Sequence, residues 1–212
     1  MTHYGAALES APTATAKALI MAYAAHSWEW LNEHDQAREE TAEALRLLGL
    51  SDLPPRGDPD ARELQLRLGG NQDARVAYGV VAMVNAHMDW HSRRFAAAIR
   101  CCHALEQVAA RPPLPALLGA HAELRMLICF DQGTIVGRRL EDRRLPRDAE
   151  LLELALVWAD EAGAHYSAND EEWGLARITR YASYIHRLLN RPHRADELEQ
   201  QAIEVYGQHR GV

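Results

Sequence analysis

The chain of 212 residues is poor in the residue types that build sheets, disulfide frameworks and basic binding surfaces. Aromatic residues make up 7 %, with two Phe, and Ala is abundant, so helix formers dominate over strand formers. The three cysteines (Cys101, Cys102 and Cys129) are odd in number and two are adjacent, so no disulfide framework is indicated. The only lysine is Lys17, and the net charge of −7 argues against nonspecific binding to nucleic acid or to an anionic membrane.

Long hydrophobic runs are lacking as well. No window approaches the roughly 18 uninterrupted apolar residues of a transmembrane helix, so we expect no membrane span. The first ten residues contain no basic segment followed by an apolar run, which is the pattern of a signal peptide. These features predict a cytoplasmic protein.

Two parts of the chain repeat one helical pattern. Residues 25–37 and 86–98 each place His and Trp near the end of a helical pattern, before a polar turn and a second helix. Small residues recur seven positions apart in the second helix, as at Ala37 and Ala44, which keeps them on one face where two helices can cross closely. A third turn of this kind precedes Pro192, with Ala195 and Ala202 seven apart. The pattern predicts helical hairpins.

The hairpins predict an all-α fold, with four hairpins and about eight main helices in one domain of residues 1–212. Thr13 and Asp35 are expected to cap the first two helices. Residues 1–12 have the character of a loose lead-in. Residues 50–60 contain three prolines and a glycine, which predicts a connector. Residues 133–146 lack apolar periodicity and are predicted to form a long loop.

The turn and second-helix pattern resembles the tetratricopeptide repeat. That family has a large residue before a polar turn and small residues where the two helices cross. The matching residues are Trp28, Asn32, Ala37 and Ala44; Phe95, Ala98 and Leu105; and Asn190, Arg191, Pro192, Ala195 and Ala202. The third hairpin has no such turn, because residues 133–146 intervene. The resemblance implies a short right-handed solenoid of stacked antiparallel hairpins with a concave binding face.

Three histidines follow an alanine at similar places in the predicted first helices: His26, His87 and His121. In a tetratricopeptide-like array the first helices line the concave face, so the resemblance implies that the three imidazoles share one groove. The alternative is that they are ordinary polar residues between helices.

A stripe of basic residues suggests the ligand of that groove. Spacings of three and four place Arg177, Arg180, Tyr184 and Arg187 on one helix face, and Arg125 shares a stripe with His121. Guanidinium groups bind carboxylates and phosphates through paired hydrogen bonds, so this face predicts an anionic ligand. The alternative is a solvated face with ion pairs to nearby carboxylates.

A metal site is a further alternative. His87 and His91 are four residues apart on one predicted helix and can share a metal, with His26 or His121 as a further ligand. The sequence contains no His-Glu-x-x-His motif, and no third ligand is set by spacing.

The sequence favours a non-catalytic binding or scaffold module over an enzyme. We expect it to hold a peptide, a partner protein or a small anionic ligand in the His/Arg-lined groove, without a cofactor, and the sequence allows a homodimer. No phosphate-binding Gly-rich loop, zinc-spaced Cys pair or Gly-x-Ser-x-Gly motif is present. The alternatives are a helical metal-dependent enzyme or metal-binding protein, and the ligand-sensing part of a transcriptional regulator.

Overall fold

The computed structural model describes residues 2–50, 61–68, 70–138 and 148–208. These residues form ten α-helices and no strand, which confirms the all-α prediction and adds helices to the eight expected. The helices are α1 (Thr2–Ser10), α2 (Ala14–Trp30), α3 (His34–Leu47), α4 (Ala61–Leu68), α5 (Gln72–His91), α6 (Phe95–Ala109), α7 (Pro115–Arg138), α8 (Ala149–Ala168), α9 (Glu172–Leu188) and α10 (Pro192–Gln208).

The chain divides into two compact units, Met1–Leu117 and Leu118–Val212. In the first unit, α5 packs against α2, α3 and α6, while α1 packs on α2 and α4 packs on α6. In the second unit, α9 packs against both α8 and α10. Helix α7 contacts α8 and α9 through aromatic side chains.

One tight turn recurs at four places in the chain. In each, a non-glycine residue with positive φ follows the end of a helix: Asn32, Arg93, Asp170 and Asn190. The next backbone N–H then donates to the carbonyl five residues earlier, as from Glu33 to Trp28 at 2.9 Å, which is the Schellman arrangement. These turns join α2 to α3, α5 to α6, α8 to α9 and α9 to α10. The last two make α8, α9 and α10 a continuous three-helix hairpin.

The small residues predicted at the helix crossings are buried. Ala37, Ala98 and Ala195 are each 0 % exposed, as is Ala44, and Ala202 is 2 % exposed. Their lack of side-chain bulk allows α2 and α3, α5 and α6, and α9 and α10 to approach closely. This part of the hairpin prediction is confirmed.

The loose lead-in predicted for residues 1–12 is wrong for most of its length, because Thr2–Ser10 form α1. Helix α1 is held against α2 by tertiary contacts, among them a hydrogen bond of 2.9 Å between the hydroxyls of Tyr4 and Ser27. Its local pattern is weak, so a helix of nine residues depends on this packing.

The loop predicted for 133–146 begins too early, because α7 continues to Arg138. Gly133 is buried where α8 comes close: a Cβ there would lie 3.1 Å from the Leu152 side chain. Glycine at this position serves helix packing. Residues 139–147, with the rest of the predicted loop, lie outside the described residues, as do residues 51–60 of the predicted connector.

Of the two capping predictions, one is confirmed and the other is wrong. Thr13 accepts a hydrogen bond from the backbone N–H of Ala16 at 3.1 Å, as expected. Asp35 is not the cap of α3, because α3 begins at His34 and its N-cap is Glu33, which makes no side-chain capping bond. The turn at Asn32 sets this start, since its hydrogen bonds leave Glu33 at the N-cap position.

Candidate functional site

A pocket of about 450 Å³ opens between α8, α9 and α10 in the second unit. This volume lies within the roughly 300–1,000 Å³ of small-molecule sites. Much of the wall is apolar; its larger apolar residues are Leu156 and Val157 of α8, Leu175 and Ile178 of α9, and Leu198 of α10. Val157 is 59 % exposed, so the apolar wall reaches solvent at the rim.

The pocket also has polar and charged lining residues: Glu153, Asp160, Thr179, His186 and Arg194. Two of the charges are neutralised by neighbours. Glu153 accepts hydrogen bonds from both terminal nitrogens of Arg191, and Arg194 donates to Glu197 at 2.9 Å. These pairs leave Glu153 and Arg194 with little net charge to offer a ligand.

Asp160 and His186 are the polar groups of the pocket without such partners. Among the residues described, no cation lies within ion-pair distance of Asp160, and the buried Nδ1 of His186 makes no hydrogen bond. Burial lowers the pKa of His186, Arg191 and Arg194 lower it further, and Glu153 and Asp160 oppose them. The imidazole is therefore neutral at pH 7.

The arginines of the predicted basic stripe have protein partners. Arg177 donates two hydrogen bonds to the buried carboxylate of Glu123 on α7, at 2.5 and 2.6 Å. Arg187 pairs with Asp196 and Glu199 on α10. Both guanidinium groups are thus already neutralised by carboxylates within the second unit.

The other two arginines of the prediction lie against aromatic rings. The Arg180 Nε donates to the Tyr184 hydroxyl at 2.9 Å, on an exposed part of α9. Arg125 lies 5.0 Å from the centroid of the Trp158 ring. None of the predicted groove residues lines the pocket between α8, α9 and α10.

The three predicted groove histidines fall into different surroundings. His26, in the first unit, accepts a hydrogen bond of 2.7 Å from the indole N–H of Trp30. His87, in the same unit, faces Glu29 across the α2–α5 contact. His121, in the second unit, is 3 % exposed and packs edge-on against Trp158, so it belongs to the core of that unit.

A carboxylate of the first unit, Glu29, lies between two imidazoles. Glu29 of α2 has a side chain only 6 % exposed, with one oxygen 3.6 Å from His87 Nδ1 and the other 3.4 Å from His91 Nε2. Burial raises the pKa of Glu29 to about 7. The sequence had paired His87 with His91, and the structure adds Glu29 from another helix.

The metal prediction gains no support from this arrangement. Within the described ranges, no group of three or more His, Cys, Asp or Glu side chains is arranged to hold a metal ion. His87 and His91 do lie on one side of α5, but the Glu29 oxygens contact them separately.

Comparison with known proteins finds no family model, no curated protein and no solved structure that matches the chain. The resemblance to the tetratricopeptide repeat, and the solenoid that it implies, therefore stay predictions. In the part of the chain that the structure describes, no helix combines the length and the apolar character needed to cross a bilayer.

Sequence reasoning missed the pocket because its residues belong to three helices. The sequence offers two local features, the acidic Asp160 among the apolar residues of α8 and His186 four residues after Ala182 on α9. Each feature is common in helices, so neither predicts a site before the helices are placed side by side.

Proposed function

We propose that this chain is a non-catalytic binding module whose ligand occupies the pocket between α8, α9 and α10. The observation that carries the proposal is the pocket itself, which has a volume of about 450 Å³, an apolar wall and a few polar groups. Pockets of this composition are the usual form of a small-molecule site. We expect the module to act in the cytoplasm, where the buried thiols of Cys101, Cys102 and Cys129 remain reduced.

The architecture supports binding through a rigid frame. Two copies of the same Schellman turn, at Asp170 and Asn190, hold α9 between its neighbours. On the opposite side, the Glu123–Arg177 pair and the hydroxyl of Tyr166 tie α7, α8 and α9 together. A pocket lined by helices fixed in this way is formed before a ligand arrives, so binding requires little ordering.

A small anion in an arginine-lined groove is less well supported than the binding function itself. Arg177 and Arg187 are neutralised by carboxylates, and Arg125 lies against Trp158. Arg180 is exposed, but its Nε is bonded to Tyr184. The pocket between α8, α9 and α10 thus replaces the arginine groove as the proposed site.

The proposal is tested by filling the pocket. A Cβ at Gly163 would meet only Leu175, at 3.6 Å, so Gly163→Ala should be tolerated while Gly163→Trp should occupy the space of a ligand. Backbone NMR spectra of the full chain, recorded with a library of small fragments, should show shifts on α8, α9 and α10 in wild type and Gly163→Ala. Gly163→Trp should abolish them.

A second variant separates blocking from misfolding. Val157 is 59 % exposed at the rim, so Val157→Trp narrows the entrance without disturbing buried contacts. Fragment shifts that persist in both tryptophan variants, or that map to other helices, would refute the proposed site.

A further inference from the structure

The charge of the pocket between α8, α9 and α10 is decided by Asp160. Glu153 is paired with Arg191, and Arg194 is paired with Glu197, so each of these charges has a partner of opposite sign. For Asp160, the described residues supply no such cation. Its carboxylate is the uncompensated charge of the lining, and it is negative.

His186 also lines the pocket. Its Nδ1 is buried and makes no hydrogen bond to any described residue. Because this nitrogen has almost no accessible surface, it does not contact a ligand in the pocket. Asp160 therefore supplies the charged contact of the lining, and His186 contributes a neutral ring to the wall.

We propose that the pocket between α8, α9 and α10 binds a small amphipathic amine. The ammonium group donates to the carboxylate of Asp160, and the apolar body lies against Leu156, Ile178 and Leu198. This inference rests on the proposed binding function and adds the chemical class of its ligand. An ammonium has donors and a positive charge, and both match the carboxylate of Asp160.

The opposite choice, an anionic ligand, meets an electrostatic obstacle. A carboxylate in this pocket would lie near Asp160, and it would have to draw Arg194 away from Glu197. The Arg194–Glu197 pair is exposed and weak, so that cost is small, but the repulsion from Asp160 remains. The charges of the pocket lining therefore favour a cationic ligand over an anionic one.

The test uses three probes of nearly equal shape and different charge: phenethylamine, phenethyl alcohol and phenylacetate. Their dissociation constants are measured by NMR titration of the full chain at neutral pH. We expect the amine to bind roughly fivefold more tightly than the alcohol, the gain typical of a partly exposed ion pair, and the acid to bind most weakly. Added salt should reduce the preference for the amine.

Two variants of neighbouring residues on α8 provide the matched comparison. Asp160→Asn should remove the preference for the amine and leave the affinity for the alcohol unchanged. Glu161→Gln removes a charge from the adjacent exposed position, which does not line the pocket, so it should leave the preference intact.

The outcomes separate this inference from the proposed function. The proposal of an amine ligand would be refuted if the amine and the alcohol bound equally, or if phenylacetate bound most tightly. If Val157→Trp still blocked binding of the probes in that case, the pocket would remain the binding site. An equal loss of preference in Asp160→Asn and Glu161→Gln would also overturn it, because a general charge effect would then explain the result. If none of the three probes bound, the proposal of an amine ligand would be refuted. Whether the pocket binds ligands at all would still be decided by the fragment experiment.

Discussion

Arg177 of α9 binds Glu123 of α7 through two hydrogen bonds, and the Glu123 carboxylate also accepts the hydroxyl of Tyr166 from α8. Three helices of the second unit thus meet at one buried carboxylate, which is 7 % exposed. Hydrogen bonding to Glu123 raises the pKa of Arg177, and burial raises the pKa of Tyr166, so the first stays charged and the second stays protonated. The arrangement holds the unit together.

Removal of Arg177 should therefore destabilise the protein. Arg177→Ala leaves a buried carboxylate with the Tyr166 hydroxyl as its remaining donor, which we expect to cost about 2–3 kcal/mol after allowance for the partial exposure of the guanidinium. The control is Arg180→Ala on the same helix, which should change stability by less than about 1 kcal/mol because Arg180 is exposed. Urea denaturation measures both; equal effects would contradict the structural role of Arg177.

Two glycines of the second unit should respond oppositely to alanine. A Cβ at Gly174 would lie 2.8 Å from the Tyr166 ring, at the carbon that joins the ring to its side chain, so Gly174→Ala should cost about 1–3 kcal/mol by overpacking. A Cβ at Gly163 has ordinary contact distance, so Gly163→Ala should stabilise α8 by up to about 1 kcal/mol. Thermal denaturation followed by circular dichroism should show melting temperatures shifted in opposite directions, and a shared direction would count against the packing described here.

Glu29 should make stability depend on pH. The pKa of Glu29 is raised from 4.5 in the unfolded chain to about 7 in the folded protein. Its contribution to the free energy of unfolding is therefore fully present below pH 4.5 and is lost as the pH rises through 7. Relative to Glu29→Gln, the wild type should lose roughly 1 kcal/mol between about pH 6 and pH 8. His87 and His91 face the carboxylate across the contact between α2 and α5.

The comparison with Glu29→Gln is necessary because other groups titrate nearby. The pKa of His186 is lowered in the folded protein, so its contribution has the opposite sign and is lost as pH falls. Denaturation curves of wild type and variant at the two pH values isolate Glu29. Parallel changes in both proteins would show that Glu29 is not the group responsible.

The crossing alanines should not tolerate a charge. Ala37→Glu, Ala98→Glu and Ala195→Glu each place a carboxylate at a position that is 0 % exposed, and each should cost several kcal/mol through overpacking and an unpaired buried charge. Glu161→Gln, at an exposed position of α8, serves as the silent control. An unchanged melting temperature in any of the three variants would mean that its helix crossing differs from the one described.

The parts of the fold that the sequence predicted depend on neighbours along the chain. Helical periodicity, the cap at Thr13 and the turns at Asn32 and Asn190 are set by residues within about two helical turns of one another. The seven-residue spacing of Ala37 and Ala44 likewise identifies a buried face from one helix alone. The helix over Thr2–Ser10 escaped prediction because it is held by contacts with α2, which lies outside its own pattern.

The candidate site depended on what each helix face meets, which periodicity does not specify. Spacing placed Arg177 and Arg180 near one another on α9, but Glu123, 54 residues before Arg177, gives that guanidinium a structural partner and leaves Arg180 exposed. The pocket arises in the same way, because Asp160 and His186 come from different helices and have no shared motif. An all-helical chain with close helix crossings could thus be predicted from the residue pattern, since both follow from local propensity and small side chains. Which charges are neutralised and which face a cavity could not, because that depends on the distance between residues far apart in the chain.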